Sequence, residues 1–487
     1  MMLAPEPKKP LSVRIQEKLA ASRFLTFSVL LHAVLVLMGG SVVLFKQYVE
    51  PPDFAAPEGG LVSSEVQVQA PPEKPPDLQQ QFTPEAPTLN APTLSAISTT
   101  NVTTPTFQVA AVAPVMKAMP NDLTKVMENA AKSMSKGVAS NLPGTMASRV
   151  GGTKRAQAMM MTGGKKESED AVMRGLRYLV KTQNPDGSWG AKFKPAMTGF
   201  AVLSLLGHGE TPVSSEFGPT VQKALDWVLN NGKKFEGRLS MEGAFSQAGV
   251  YSHGILTYGL GEYYTMTKDE RVAELLKQAI THVVKGQSPD GSWKYAYNNS
   301  NKPDTSVTGW QIQALKAAHL TGLNVEGVDA ALDKSMVYLK SVQGPKGGFG
   351  YNAKEDRYSL TGAGVLCTYF WKQEKDKSVR DGIEFIMDQT KSTFPVDYKS
   401  EKANLYAWYY NTQACLMVGG SAWTAWNRMF QEQLIKNQSP EGSWPPLGGK
   451  SDPGGLQLDP EGDGRFYRTN LCILMLEVYY RYMPTTK

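Results

Sequence analysis

From Lys166 to the C-terminus, apolar residues recur at helical spacing in segments that come in pairs. The first segment of each pair is amphipathic, with an apolar stripe and a face of Lys, Arg, Glu or Asp, as in "AVMRGLRYLVKT", "LLKQAITHVVKG" and "AWNRMFQEQLIKN". The second opens with small or polar residues and is then apolar nearly all round, as in "MTGFAVLSLLGHG", "YSHGILTYGLGEYY", "DTSVTGWQIQALKAA", "YSLTGAGVLCTYFW", "NLYAWYYNTQACLMVGG" and "FYRTNLCILMLEVYYRY". A helix with one apolar stripe belongs on the outside of a core, and one that is apolar all round belongs inside it. The pattern therefore predicts an outer and an inner set of helices.

Between the two helices of a pair, a short phrase repeats: "QNPDGSW" at 183–189, "QSPDGSW" at 287–293 and "QSPEGSW" at 438–444. Pro, an acid and Gly break the preceding helix into a tight turn, and the Trp that follows is a large apolar plug. The separations from Gln183 to Gln287 and from Gln287 to Gln438 are 104 and 151 residues, close to two and three copies of a unit of about 50. A fourth copy, "QGPKGGF", begins at Gln343 and carries Phe349 in the Trp position. Two worn copies, "ALDWVLNNGKKFEG" and "GIEFIMDQTKSTFP", keep the helix but not the turn. Six outer and six inner helices predict an all-α fold, an α6/α6 toroid over residues 166–487.

The chain before Lys166 reads differently. Residues 51–165 contain no Trp and are rich in Pro, Ala, Thr, Ser and Gln, too little apolar surface to offset the entropy of ordering them. Residues 47–165 are therefore expected to be a linker: from Glu50 to about Pro120 the prolines favour extended chain at about 3.1 Å per residue, and 121–164, with "LTKVMENAAKSM" and "AQAMMM", offers only marginal helices. Residues 24–45 carry no charged side chain and would form a helix roughly 33 Å long, enough to cross a bilayer. Lys8, Lys9, Arg14, Lys18 and Arg23 precede it, so the expected arrangement has a cytoplasmic basic segment over residues 1–23 and a transmembrane helix over 24–46. The rest then lies outside a bacterial-type inner membrane, in the periplasm, with the lipid bilayer as one partner. Ser28 and His32 fall on one face of that helix, and an imidazole in lipid points to a protein partner or a proton path.

Charge and cysteines narrow the classes. A net charge of +6 with dispersed lysines gives no nucleic-acid footprint. Cys367, Cys415 and Cys472 lie far apart among apolar residues with no Cys-x-x-Cys, which predicts buried thiols and no metal or disulfide framework.

The glutamine-tryptophan turns and the inner helices that follow them resemble the prenyltransferase and squalene-oxidase repeat proteins, a group that includes squalene-hopene cyclases and protein prenyltransferase β subunits. The resemblance covers roughly residues 167–487. It implies that Gln183, Trp189, Gln287, Trp293, Gln343, Phe349, Gln438 and Trp444 are scaffold, tying outer helices to neighbouring turns. The cyclases of that group protonate their substrate with an Asp-x-Asp-Asp-Thr-Ala motif. Its nearest counterpart is "NKPDTS" at 301–306, where Asp304 and Thr305 match, Asn301 replaces the first Asp and Pro303 the proton donor. Protein prenyltransferases hold zinc with an Asp, a Cys and a His, and no Asp-x-Cys pair is present. No metal and no cofactor are expected. The anchor "SVLLH" with its Pro-rich sequel resembles that of TonB-type energy transducers, which implies a proton-channel complex as partner of Ser28 and His32.

Polar and aromatic residues at the inner-helix starts mark the candidate site: Tyr251, His253, Asp304, Thr305, Trp310, Tyr358, Tyr406, Tyr409, Tyr410 and Arg468. Asp304 and His253 are the candidate acid and base, each with a plainer reading as a helix cap or a hydrogen-bonded rim residue. The tyrosines and Trp310 either line an apolar cavity or form core. The leading expectation is a membrane-anchored toroid that binds a hydrophobic, isoprenoid-like ligand or a protein partner without cyclase chemistry. Two alternatives remain: a terpene cyclase or prenyl-transfer enzyme using Asp304, His253 or Asp356 in an altered arrangement, and a TonB-like energy-transducing component.

Overall fold

The computed structural model describes residues 142–150, 152–371, 375–449 and 458–482. The expected transmembrane helix, Ser28, His32 and most of the Pro-rich linker lie outside the described residues. No helix among the described residues is long and apolar enough to cross a membrane.

Among the described residues, a short helix α1 (Gly152–Thr162) is followed by six outer helices that alternate with six inner ones. The outer helices are α2 (Lys166–Lys181), α4 (Gly218–Lys234), α6 (Ala273–Lys285), α8 (Val328–Val342), α10 (Lys377–Ser392) and α12 (Gly420–Lys436). The inner ones are α3 (Lys194–Gly207), α5 (Gln247–Thr267), α7 (Thr305–Thr321), α9 (Tyr358–Phe370), α11 (Leu405–Val418) and α13 (Asp463–Leu476), with a final turn α14 (Val478–Arg481). Each inner helix packs on the next, α3 on α5, α5 on α7, α7 on α9, α9 on α11, α11 on α13, and α13 returns to α3, so the ring closes. The periodicity is the cause: α2 buries Ala171, Val172, Leu176 and Leu179 on one stripe, whereas α3 buries every residue from Ala196 to Gly207.

The repeated turn acts as a clasp. Gln183 Nε2 donates to Gly187 O inside its own turn (2.9 Å) and to Thr220 O in the first turn of the next outer helix (2.9 Å). Gln287 does the same to Gly291 O (3.1 Å) and Ala331 O (2.8 Å), and Gln343 to Gly347 O (3.0 Å) and Ser378 O (2.9 Å). Gln438 closes the circle, donating to Gly442 O and to Ala171 O of the first outer helix, both at 2.9 Å. Glycine is required in the turn because Gly187, Gly291, Gly347 and Gly442 have φ between 89° and 101° and a Cβ there would sit 2.2–2.4 Å from a carbonyl oxygen of the next outer helix. Trp189, Trp293 and Trp444 are fully buried, and their indole N–H donates to Leu179 O, Val283 O and Leu434 O at 2.8–2.9 Å. The backbone N–H of each plug residue, Phe349 included, donates to a threonine on the following inner helix: Thr198, Thr308, Thr361 and Thr469.

One boundary differs from the sequence reading. Residues 142–162, assigned from composition to the linker, pack against the ring: Met146, Arg149, Arg155, Ala156, Ala158 and Met159 are buried. The physical reason is that this segment docks largely through arginines, whose burial a hydrophobicity pattern does not register.

A candidate cleft at the rim and a charged base

The inner-helix N-termini gather at one end of the ring. There Asp304, fully buried, caps α7: its Oδ1 accepts the backbone N–H of Ser306 (2.7 Å) and Val307 (3.0 Å) and the Ser306 hydroxyl (2.5 Å). Its Oδ2 accepts the hydroxyls of Tyr295 and, at 3.4 Å, Tyr251. The Tyr251 hydroxyl also meets Ser306 Oγ at 2.7 Å, and Tyr295 meets the Tyr351 hydroxyl at 2.6 Å. Thr305 Oγ1 is held by Tyr351 O and the Tyr338 hydroxyl, both at 3.0 Å. Tyr295, Tyr338 and Tyr351 belong to this cluster although they lie on turns or an outer helix, where a search confined to inner-helix starts does not look. Burial raises the Tyr251 phenol well above its ordinary range, with the Asp304 charge reinforcing it.

Beside this cluster lies an apolar cleft lined by Phe193, Met197, Phe200, Tyr251, Ile255, Trp310, Leu458 and Tyr467. Its volume is about 30 Å³, an order of magnitude below the pockets that enclose drug-sized ligands. The ring axis beneath it is filled. Trp310 stacks on Tyr409 (centroids 5.9 Å apart, planes at 22°), meets Phe200 edge-on at 5.3 Å and lies 5.7 Å from Tyr410. Tyr406, Tyr409 and Tyr410 are buried, and Tyr410 receives Gln313 Nε2 at 3.0 Å.

Other expected site residues stand apart from the cleft. His253 is fully buried with both ring nitrogens engaged: Leu239 N–H donates to Nδ1 (3.0 Å) and Nε2 donates to Ala279 O (3.0 Å). It thus does for the worn second unit what threonine does for four of the others, and burial pulls its pKa down to about 3. Tyr358 stacks on Phe394 at 4.6 Å and meets Thr390 Oγ1 at 3.0 Å. Arg468 is buried against carbonyls, with Nε on Trp444 O (3.2 Å) and Nη2 on Pro460 O (2.7 Å). Asp356 accepts the N–H groups of Lys346 and Gly348 in the fourth turn.

The opposite end, where the inner helices finish, holds a buried charge network absent from the sequence reading. Arg149 Nη1 pairs with Glu262 Oε2 at 2.9 Å, and Arg481 Nη2 lies 3.6 Å from the same oxygen. Arg155 Nη1 pairs with Glu169 Oε1 at 3.1 Å, and that oxygen also meets His208 Nε2 at 3.0 Å, while His208 Nδ1 faces Glu210 Oε1 at 2.6 Å. Burial would raise Glu169, but His208 and Arg155 hold it down at about 2; burial and Arg155 oppose the charge on His208, but Glu169 and Glu210 lift it to about 9. Glu477, packed over Gly207, is pushed well above the carboxylate range by burial. The available signal was a lone acid inside an otherwise apolar helix, as in "YGLGEYY" and "LMLEVYYR".

Six helix pairs closed into a ring define an α/α toroid. The GH76A α-1,6-mannanase of Salegentibacter sp. HEL1_6 is similar at TM-score 0.50 and 12% identity, over 64% of this chain and 98% of that one. The type II terpene cyclase MstE of Scytonema is similar at TM-score 0.46 and 12% identity, over 64% and 98%. At such identities the likeness is one of fold. Residues 168–364 match the model of a domain of unknown function, DUF6288. No curated protein sequence matches the chain.

Proposed function

We propose that the chain is a squalene-cyclase-like repeat toroid, tethered outside a bacterial inner membrane by residues 24–46, that binds an apolar group of an isoprenoid-like ligand at its rim without protonating it. The observation that carries this reading is the cleft: about 30 Å³, walled by Phe200, Ile255, Trp310 and Tyr467 over a filled axis. Such a site admits the tip of an apolar chain, not a whole triterpene. Asp304 supports the same reading, since its oxygens already accept two backbone N–H groups and the hydroxyls of Ser306, Tyr295 and Tyr251. A cyclase acid must instead present a proton to substrate. The anchor is supported by the uncharged run and the basic residues before it.

The test is to incubate the full chain, purified in detergent, with squalene and with prenyl diphosphates, and to follow binding by tryptophan fluorescence and products by mass spectrometry. Saturable quenching that is lost in Ile255→Trp, with no new product, is expected. Turnover that disappears in Asp304→Asn would establish the enzyme instead.

A further inference from the structure

We propose that residues 142–161 are a detachable strap that closes the base of the ring and lifts away ahead of the pinned Thr162 while the six repeats stay folded. The pairing of charges at the base carries this inference. Each ring acid that the strap holds through an arginine has a second cation belonging to the ring itself. Glu262 pairs with strap Arg149 at 2.9 Å and keeps Arg481 at 3.6 Å and the Tyr482 hydroxyl at 3.2 Å. Glu169 pairs with strap Arg155 at 3.1 Å and keeps His208 at 3.0 Å. Removing one partner of a buried ion pair is ordinarily prohibitive because it strands the other charge. Here undocking leaves Glu262 with Arg481 and leaves Glu169 sharing His208 with Glu210, while both arginines go to water.

The strap's other contacts fit a seat from which it can leave. Arg149 Nε donates to Arg481 O at 2.9 Å, Arg155 Nη2 donates to His208 O, and the guanidinium of Arg155 lies 4.7 Å from the Tyr480 ring. The apolar share is Met146, Ala156, Ala158 and Met159, with Leu142 and Val150 partly buried against the core, while Met160 and Met161 face outward. Buried ion pairs gain little net free energy over their desolvation, so docking is shallow compared with the apolar burial that holds the repeats. The far end of the strap, by contrast, is pinned: Trp423 Nε1 donates to Thr162 O at 2.8 Å, and Asn427 and Gln431 donate to Gly163 O at 3.1 and 3.0 Å. Motion is thereby confined to residues before Thr162, the first pinned position. Since the strap continues the Pro-rich segment, tension arriving along that segment meets Arg149 before it meets any repeat.

Hydrogen exchange followed by mass spectrometry on the full chain in detergent micelles tests this. In the unmodified protein, amides of 142–161 should exchange at least about tenfold faster than those of α3, α5 and α13, as expected of a unit that opens on its own. Arg149→Ala should raise strap exchange by a further factor of about ten and leave the turns at 183–189 and 287–293 unchanged. Gly209→Ala attacks the seat from the ring side, because its Cβ would stand 2.4 Å from Arg149 O at a φ of 89°, and should have the same selective effect. Strap amides exchanging in step with the inner helices would overturn the proposal. So would either variant raising exchange throughout the repeats, or both variants losing their helical circular dichroism.

Discussion

Gln438 is the residue through which the sixth turn grips the first outer helix, so its truncation reports on ring closure. Gln438→Ala removes an amide that donates to Gly442 O and Ala171 O, both at 2.9 Å, and whose Oε1 accepts from Arg174 Nε and Nη2 at 3.0 and 2.6 Å on the exposed face; the two donated bonds set the minimum loss. At about 0.5–1.5 kcal/mol net for each hydrogen bond, the loss is about 1–3 kcal/mol. Gln287→Ala removes the equivalent bonds in the middle of the chain, at 3.1 and 2.8 Å, and carries the same expected cost. Urea unfolding of the two full-chain variants, followed by circular dichroism, compares them directly. In a closed ring Gln438→Ala costs at least as much as Gln287→Ala, to within the scatter of about 0.5 kcal/mol for independent sites. If Gln287→Ala costs about 2 kcal/mol and Gln438→Ala almost nothing, the last turn is a free end and the reasoning from closure fails.

Stability should peak near pH 6.5. His253 has its folded pKa lowered to about 3, so its contribution is present above the unfolded value of about 6.5 and is lost, by up to about 1.4 kcal/mol per pH unit, as pH falls toward 3. His208 has its folded pKa raised to about 9, so its contribution is complete below about 6.5 and declines as pH rises toward 9; urea midpoints across pH 4–9 that show no such maximum would contradict both assignments. Asp304→Ala should cost about 1–2 kcal/mol as a lost helix cap, whereas Asp304→Asn, an equally good cap, should cost less than half as much; equal losses would show that the charge and not the cap matters. If residues 24–46 anchor the chain, it should sediment with membranes, resist alkaline carbonate and be digested by protease added to spheroplasts; release by carbonate would remove the anchor from the account.

The ring was legible because its signals are local and repeated. Helical period, the positive-φ turn glycines and the buried tryptophans each leave a mark in the sequence of one unit, and the repeats state it several times over. Asp304 was legible for the same reason, since an Asp just before a helix is a cap by its position alone. What could not be read was whatever depends on how units meet. The tyrosines of α11 fit a cavity wall or a core equally well on one helix, and only the facing Phe200 and Trp310 decide that they fill the axis. The threonine clasps join a plug to the next helix, a contact that composition does not encode. His253 substitutes for a threonine in a unit whose turn has decayed, so its neighbours offered no template. The strap was missed because Arg149 and Arg155 look solvated until Glu262 and Glu169, from distant helices, are brought beneath them.

The packed axis is most directly tested by the unfolding free energy of Trp310→Ala. Trp310 is 2% exposed and wedged among Phe200, Tyr409 and Tyr410, so its removal should leave a void and cost about 3–5 kcal/mol. A cost below about 1 kcal/mol would mean that the indole lines an open chamber, and the axis would then be a pocket rather than a core.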